Sequence, residues 1–162
     1  LLTQPRTQGM PIGCYGISFG GAVGLLSAAR LPALQAVVSD SAYADLEAAV
    51  ARVQRMTYHI PRIPLGQVVL WTMELRLRCR LRNLSPAGVI GKISPRAVFL
   101  IHGEEDRSSP PEDAKALFLA ANEPKRLWLI PGAEHVAGFY GEPVTYLRQL
   151  LGFYEDVFHR AA

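Results

Sequence analysis

Residues 10–21 read MPIGCYGISFGG. Met10–Ile17 is a short apolar run, and a run of that length suits a buried strand better than a helix. Phe19–Leu31 (FGGAVGLLSAARL) follows at once, rich in Ala, Leu and small residues, with Pro32 just past its end, and reads as a helix. Ser18 therefore falls on the turn between strand and helix, with Gly16 two residues before it, Gly20 two after, and Gly21 next. Glycines at those places remove Cβ clashes from a tight turn and push the serine hydroxyl out above the strand end. The Phe19 N–H, at the helix N-terminus, can face a developing oxyanion. An ordinary Gly-rich turn and a phosphate cradle share this pattern, so the turn alone does not fix the chemistry.

Working outward, the same alternation recurs. Gln35–Ser39 (QAVVS) is a second short strand, and Asp40-Ser41 offer N-cap chemistry for a helix from about Tyr43 to Met56. Pro61 and Pro64 interrupt the chain. In Leu65–Leu81, Arg76, Arg78 and Arg80, with Arg82 just after, alternate with apolar residues, which argues strand, but the segment is too long for an ordinary one and a helix is preferred. Leu84-Ser85-Pro86 opens a short helix ending near Gly91. Arg96–His102 (RAVFLIH) is the third strand, Pro110–Ala121 a helix, Lys125–Ile130 (KRLWLI) the fourth strand and Glu142–Phe158 the last helix. Strand–helix alternation of this kind predicts an α/β fold: a parallel sheet with helices on both faces, about four strands in all.

Composition sets the outer limits. The 162 residues are 49% hydrophobic and 19% charged, which is globular and excludes wholesale disorder. The net charge is only +3, from 17 basic residues (14 of them Arg) against 14 acids, so basicity alone implies no nucleic-acid partner. Two cysteines, Cys14 and Cys79, supply neither a disulfide framework nor a metal-ligand pattern. Cys14 reads as core, and His59, His102 and His159 as structural or surface residues. The arginine run reads as a solvated face. No transmembrane segment and no signal peptide are visible. The chain opens at Leu1-Leu2-Thr3, which reads as mid-element, so a preceding segment is expected.

Two further loops carry polar groups at the ends of predicted strands. Ile101-His102-Gly103-Glu104-Glu105-Asp106 follows the third strand and offers three acids; Pro131-Gly132-Ala133-Glu134-His135 follows the fourth and offers a histidine. The C-terminal edge of a parallel sheet is where α/β folds collect their sites. Ser18, Asp106 and His135 occur in that order, 88 and 29 residues apart, each just after a strand.

In this order the segments resemble the α/β-hydrolase superfamily. GISFGG is similar to its nucleophile elbow, IHGEEDRSSP to its strand-then-acid segment, and PGAEH to its histidine loop. SDSAYADL and LSPAGVIGKISPRAVFLIHG resemble the serine aminopeptidase and BEM46-like branch, and the likeness runs over residues 10–158. The resemblance implies a Ser–His–Asp serine hydrolase cleaving an ester, amide or peptide bond of a small-molecule or peptide acyl substrate. Ser18 is then nucleophile, His135 base, Asp106 its orienting acid, and Phe19 N–H an oxyanion donor. No cofactor, no metal and no nucleic-acid partner are expected, and a cytoplasmic location is expected. The family's sheet has eight strands ordered 1-2-4-3-5-6-7-8, with the elbow after the fifth. Residues 1–162 then supply the C-terminal part of one domain, with a helical insertion or cap at about 43–90. The second oxyanion donor, from the loop after strand 3, has no counterpart in this sequence, so the isolated chain is expected to be a poor or inactive catalyst. A strand-5 edge without its neighbour implies self-association. The contrasting expectation is a non-catalytic module of the same fold that binds a ligand or partner.

Overall fold

The computed structural model describes residues 7–58 and 66–159; Pro61, Pro64 and His59 lie outside them. Four strands form one sheet: β1 (Ile12–Ile17), β2 (Leu34–Asp40), β3 (Ala97–Gly103) and β4 (Lys125–Ile130). They lie in the spatial order β1-β2-β3-β4, and every neighbouring pair is parallel. Parallel strands need crossovers. These are α1 (Phe19–Ala28) between β1 and β2, α2 (Leu46–Tyr58) and α3 (Gln67–Leu77) between β2 and β3, and α4 (Pro111–Ala120) between β3 and β4. A one-turn helix α5 (Gly138–Gly141) and the long α6 (Pro143–His159) follow β4.

The two central strands explain the layering. β3 is buried along its whole length, and β2 over its last five residues. Their side chains alternate in destination. Val37, Val98 and Leu100 pack with Leu25 of α1, Leu70 of α3 and Leu117 of α4, whereas Val38, Phe99 and Ile101 pack with Tyr146 and Phe153 of α6. A sheet covered on both faces needs apolar residues at successive positions, which is why AVFLI reads as an unbroken apolar run. β1 pairs with β2 on one side, and its burial alternates between intermediate and exposed.

Three expectations for the middle of the chain are corrected. Asp40 and Ser41 do not cap the next helix; Asp45 does, its Oδ1 accepting the Ala48 N–H at 2.9 Å, so α2 starts at Leu46 rather than Tyr43. The helix ending near Leu81 stops at Leu77. Arg78 turns left-handed (φ 51°), and Glu74 takes the next amides, its carbonyl accepting from Cys79 N and its carboxylate from Leu81 N. In place of a helix over Leu84–Gly91 stand two 3₁₀ turns, Leu81–Leu84 and Ile90–Ile93. Arg76, Arg78, Arg80 and Arg82 are all exposed.

Candidate active site

Ser18 sits one residue past β1, with φ 53° and ψ −121°, a backbone conformation costly for a residue with a Cβ. It is over-determined by its surroundings. Its N–H donates to the Asp40 carbonyl at 2.7 Å, continuing the β1–β2 ladder, and its carbonyl accepts from Ala22 N in the first turn of α1. The glycines divide the work unevenly. A Cβ on Gly16 would strike the Gly20 carbonyl and lie 2.8 Å from Gly21 N, and one on Gly21 would lie 2.7 Å from Ser39 Oγ. One on Gly20 would meet nothing within 4 Å. The close approach of strand end and helix start thus rests on Gly16 and Gly21. The Phe19 amide is the first of α1 and has no acceptor inside the helix.

The other two side chains come from the ends of β3 and β4. Asp106 is 3% exposed, while Glu104 and Glu105 beside it are exposed, so the structure brings only Asp106 inward. Asp106 Oδ1 accepts the N–H groups of Ser108 (2.9 Å) and Ser109 (2.8 Å), and Oδ2 faces His135 Nδ1 at 2.7 Å. A carboxylate only accepts, so Nδ1 carries the proton and Nε2 is left as acceptor. Nε2 lies 2.9 Å from Ser18 Oγ. Ser18, His135 and Asp106 therefore form one continuous hydrogen-bonded chain across three strand ends. Burial would raise the Asp106 carboxyl, but bonds from His102, His135 and Ser109 N, with the His135 charge, hold it below the ordinary carboxylate value.

Sequence reasoning read His102 as a packing residue. It is 1% exposed, but its ring also does polar work: Nε2 donates to the Ser109 carbonyl at 2.7 Å and lies 3.4 Å from Asp106 Oδ2. Two histidines thus share one carboxylate. Burial would lower the pKa of His102; the contacts with Asp106 and the Ser109 carbonyl, and the charges of Asp106 and Asp40, outweigh it and raise the pKa. Asp40 was likewise missed. Its buried carboxylate accepts from Ser41 Oγ (2.8 Å) and Tyr146 OH (2.5 Å), and burial raises its pKa despite those bonds. Ser41 Oγ in turn accepts the Val136 N–H at 3.3 Å, tying the residue after His135 to the end of β2. Ser41 (φ 54°) and Val136 (φ 60°) are left-handed like Ser18, so strain gathers around this chain of side chains.

α2 and α3 lie over the site. Arg52 of α2 donates to the Ser108 carbonyl (3.1 Å) and pairs with Asp113 of α4 (3.2 Å), holding α2 against the acid loop. Beneath the two helices a cavity of about 470 Å³ opens onto Ser18 and His135. The thiol of Cys14 is half-buried and burial pushes its pKa up, as suits a core residue. Among the described residues no group of three His, Cys, Asp or Glu side chains could hold a metal ion, and no helix is long and apolar enough to cross a membrane.

Residues 1–87 match the family described as BAAT / acyl-CoA thioester hydrolase C terminal. The uncharacterized protein YqkD of Bacillus subtilis is 27% identical over 148 residues, covering 90% of this chain and 48% of YqkD, so the chain spans about half the length of that relative. The Pyrococcus furiosus esterase Pf2001 superposes with a TM-score of 0.74 at 19% identity, over 98% of this chain and 58% of the esterase. A puromycin-hydrolyzing peptidase of Mycobacterium tuberculosis gives 0.66 at 21% identity, over 89% of this chain and 21% of the peptidase. At such identities the structural likeness concerns the fold, which is that of the α/β-hydrolases, while the family match covers more than half of the chain. The chain belongs to the BAAT / acyl-CoA thioester hydrolase C-terminal family and has the fold of the C-terminal part of an α/β-hydrolase.

Proposed function

We propose that Ser18, His135 and Asp106 are the catalytic triad of a serine hydrolase acting on an ester, thioester, amide or peptide bond. The reading rests above all on the hydrogen-bonded series Ser18 Oγ–His135 Nε2 and His135 Nδ1–Asp106 Oδ2. Ser18 Oγ attacks the acyl carbon as its proton passes to His135 Nε2. Asp106 keeps the proton on Nδ1 and stabilises the imidazolium, and His135 then protonates the leaving group. The Phe19 N–H faces the oxyanion. Water, activated by the same histidine, releases the acid. The match to a thioester-hydrolase family adds thioesters to the substrate classes. α2 and α3, within the segment of about 43–90, act as a cap that closes over the acyl group and excludes water.

A fluorophosphonate probe tests this on the full chain. It should label Ser18, and Ser18→Ala and His135→Ala should each abolish labelling. A folded wild-type chain that stays unlabelled would favour the alternative, a non-catalytic module that holds its ligand in the same cavity.

A further inference from the structure

The cavity beside Ser18 and His135 is walled by α2 and α3, which contribute Leu46, Val50, Val53, Val69 and Met73. Gln54 is the polar exception on those two helices. It is 5% exposed, and neither its Oε1 nor its Nε2 has a hydrogen-bond partner among the described residues. A buried amide without partners is destabilising, and most buried polar groups in native proteins are paired. A leucine would fill the same place on the apolar face of α2 at no such cost. Among the described residues no Asp, Glu, Lys or Arg lines the cavity, which favours a neutral group opposite Gln54. Oε1 accepts and Nε2 donates, which matches a group able to do both.

We propose that Gln54 determines specificity, and that the substrate is an acyl compound whose largely apolar chain carries one hydroxyl or amide group that pairs with the Gln54 side chain. The assignment rests on the hydrolase reading of Ser18. On this proposal a changed Gln54 rotamer brings the amide to the cavity wall, and substrate entry supplies its missing partners. The remaining wall then selects for methylene groups on either side. The apolar surface gives affinity, and the single polar position sets which chains are held in register with Ser18.

The test uses p-nitrophenyl esters of equal chain length: one all-methylene, one series with a hydroxyl moved along the chain, one with an internal amide moved likewise. The full chain should prefer one position of the polar group, by about tenfold in kcat/KM over the all-methylene ester, the worth of one buried hydrogen bond. The better of the two series identifies the group. Gln54→Leu should erase that preference and melt no lower than the wild type. Gln54→Met serves as a second variant should the leucine protein fail to fold. The same ranking is read without turnover, from the thermal shifts that the matching non-hydrolysable methyl ketones produce. A wild-type protein indifferent to the polar group in both assays, or a Gln54→Leu protein that keeps the preference, overturns the assignment. Ranked binding with no fluorophosphonate labelling of Ser18 would instead overturn the role of Ser18 and leave Gln54 as a recognition residue.

Discussion

At the scale of single residues, the site depends on three side chains whose surroundings give them different work. On the proposed triad, Ser18→Ala in a complete form of the protein should lower kcat by about 10⁴-fold or more, since His135 then has no hydroxyl to activate. The variant should keep the wild-type melting temperature, because the Ser18 backbone bonds remain; activity above a tenth of wild type on an activated ester would remove Ser18 from the mechanism. Among the acids, Asp106→Ala should cost far more rate than Glu105→Ala, since only Asp106 is buried against His135. The order of serine, acid and histidine after three strand ends was legible in the sequence, and the structure brings those residues together. Composition alone left Glu104 and Glu105 beside Asp106; the likeness of IHGEEDRSSP to the family's acid segment pointed to Asp106, and Asp106 is the one of the three that is buried. Asp40 was illegible because its partner Tyr146 is distant in sequence, and His102 because only the folding of the loop after β3 turns Asp106 and Ser109 back onto its ring. His102 gives a prediction of definite sign. Its folded pKa is raised above the ordinary 6.5, so the protonated ring contributes stability that is fully present below about pH 6.5 and lost as pH rises through the raised value. Asp106, with a lowered pKa, contributes stability that is present above 3.8 and lost only on stronger acidification. Urea melts of wild type and His102→Gln should therefore differ more at about pH 5.5 than at about pH 8.5, a consequence of linkage. A constant difference across that range would mean that His102 acts by shape alone.

At the scale of elements, the strand-to-helix turn was readable because its composition is unusual, but the share of each glycine needed coordinates. Gly16→Ala should destabilise the protein by about 3 kcal/mol or more, as forced backbone displacement does at such a site. Gly20→Ala should be neutral or stabilising by up to about 1 kcal/mol, since it places alanine in the first turn of a helix with open space around it. Equal melting temperatures for the two variants would contradict the packing of β1 on α1. The helices over the site were less legible. Asp45 was overlooked as a cap because Asp40-Ser41 offers the same chemistry five residues earlier. Asp40 is drawn instead into the sheet, where it aligns with Ile17 of β1 and Ile101 of β3. The alternating arginines after α3 reflect a helix end and a loop of exposed residues, a case in which period alone misleads. Gln54 did leave a trace. It lies four residues after Val50 and eight after Leu46, a polar residue on the apolar stripe of an amphipathic helix.

At the scale of the whole molecule, the two sheet edges are unequal. β3 is buried throughout and β4 is shielded to an intermediate degree over most of its length, whereas β1 leaves Tyr15 and Ile17 about 40% exposed. The sequence of β1, IGCYGI, carries no charge and no proline, the usual devices that keep an edge from pairing with another chain. Phe19 and Val23 of the adjoining α1 are exposed as well, which extends the apolar surface around the same border. Among the described residues no strand pairs with the outer side of β1, so this edge is a template for a further strand beside apolar side chains. We therefore expect the 162-residue chain to form dimers or larger species at micromolar concentration, with β1 at the contact. Size-exclusion chromatography with light scattering reads this directly. Ile17→Lys places a charge on the edge and should return the chain to monomer, since pairing would then bury a lysine. A wild-type chain that elutes as a monodisperse monomer would show that the β1 edge is protected by means other than charge, and an Ile17→Lys protein that still associates would move the contact elsewhere on the surface.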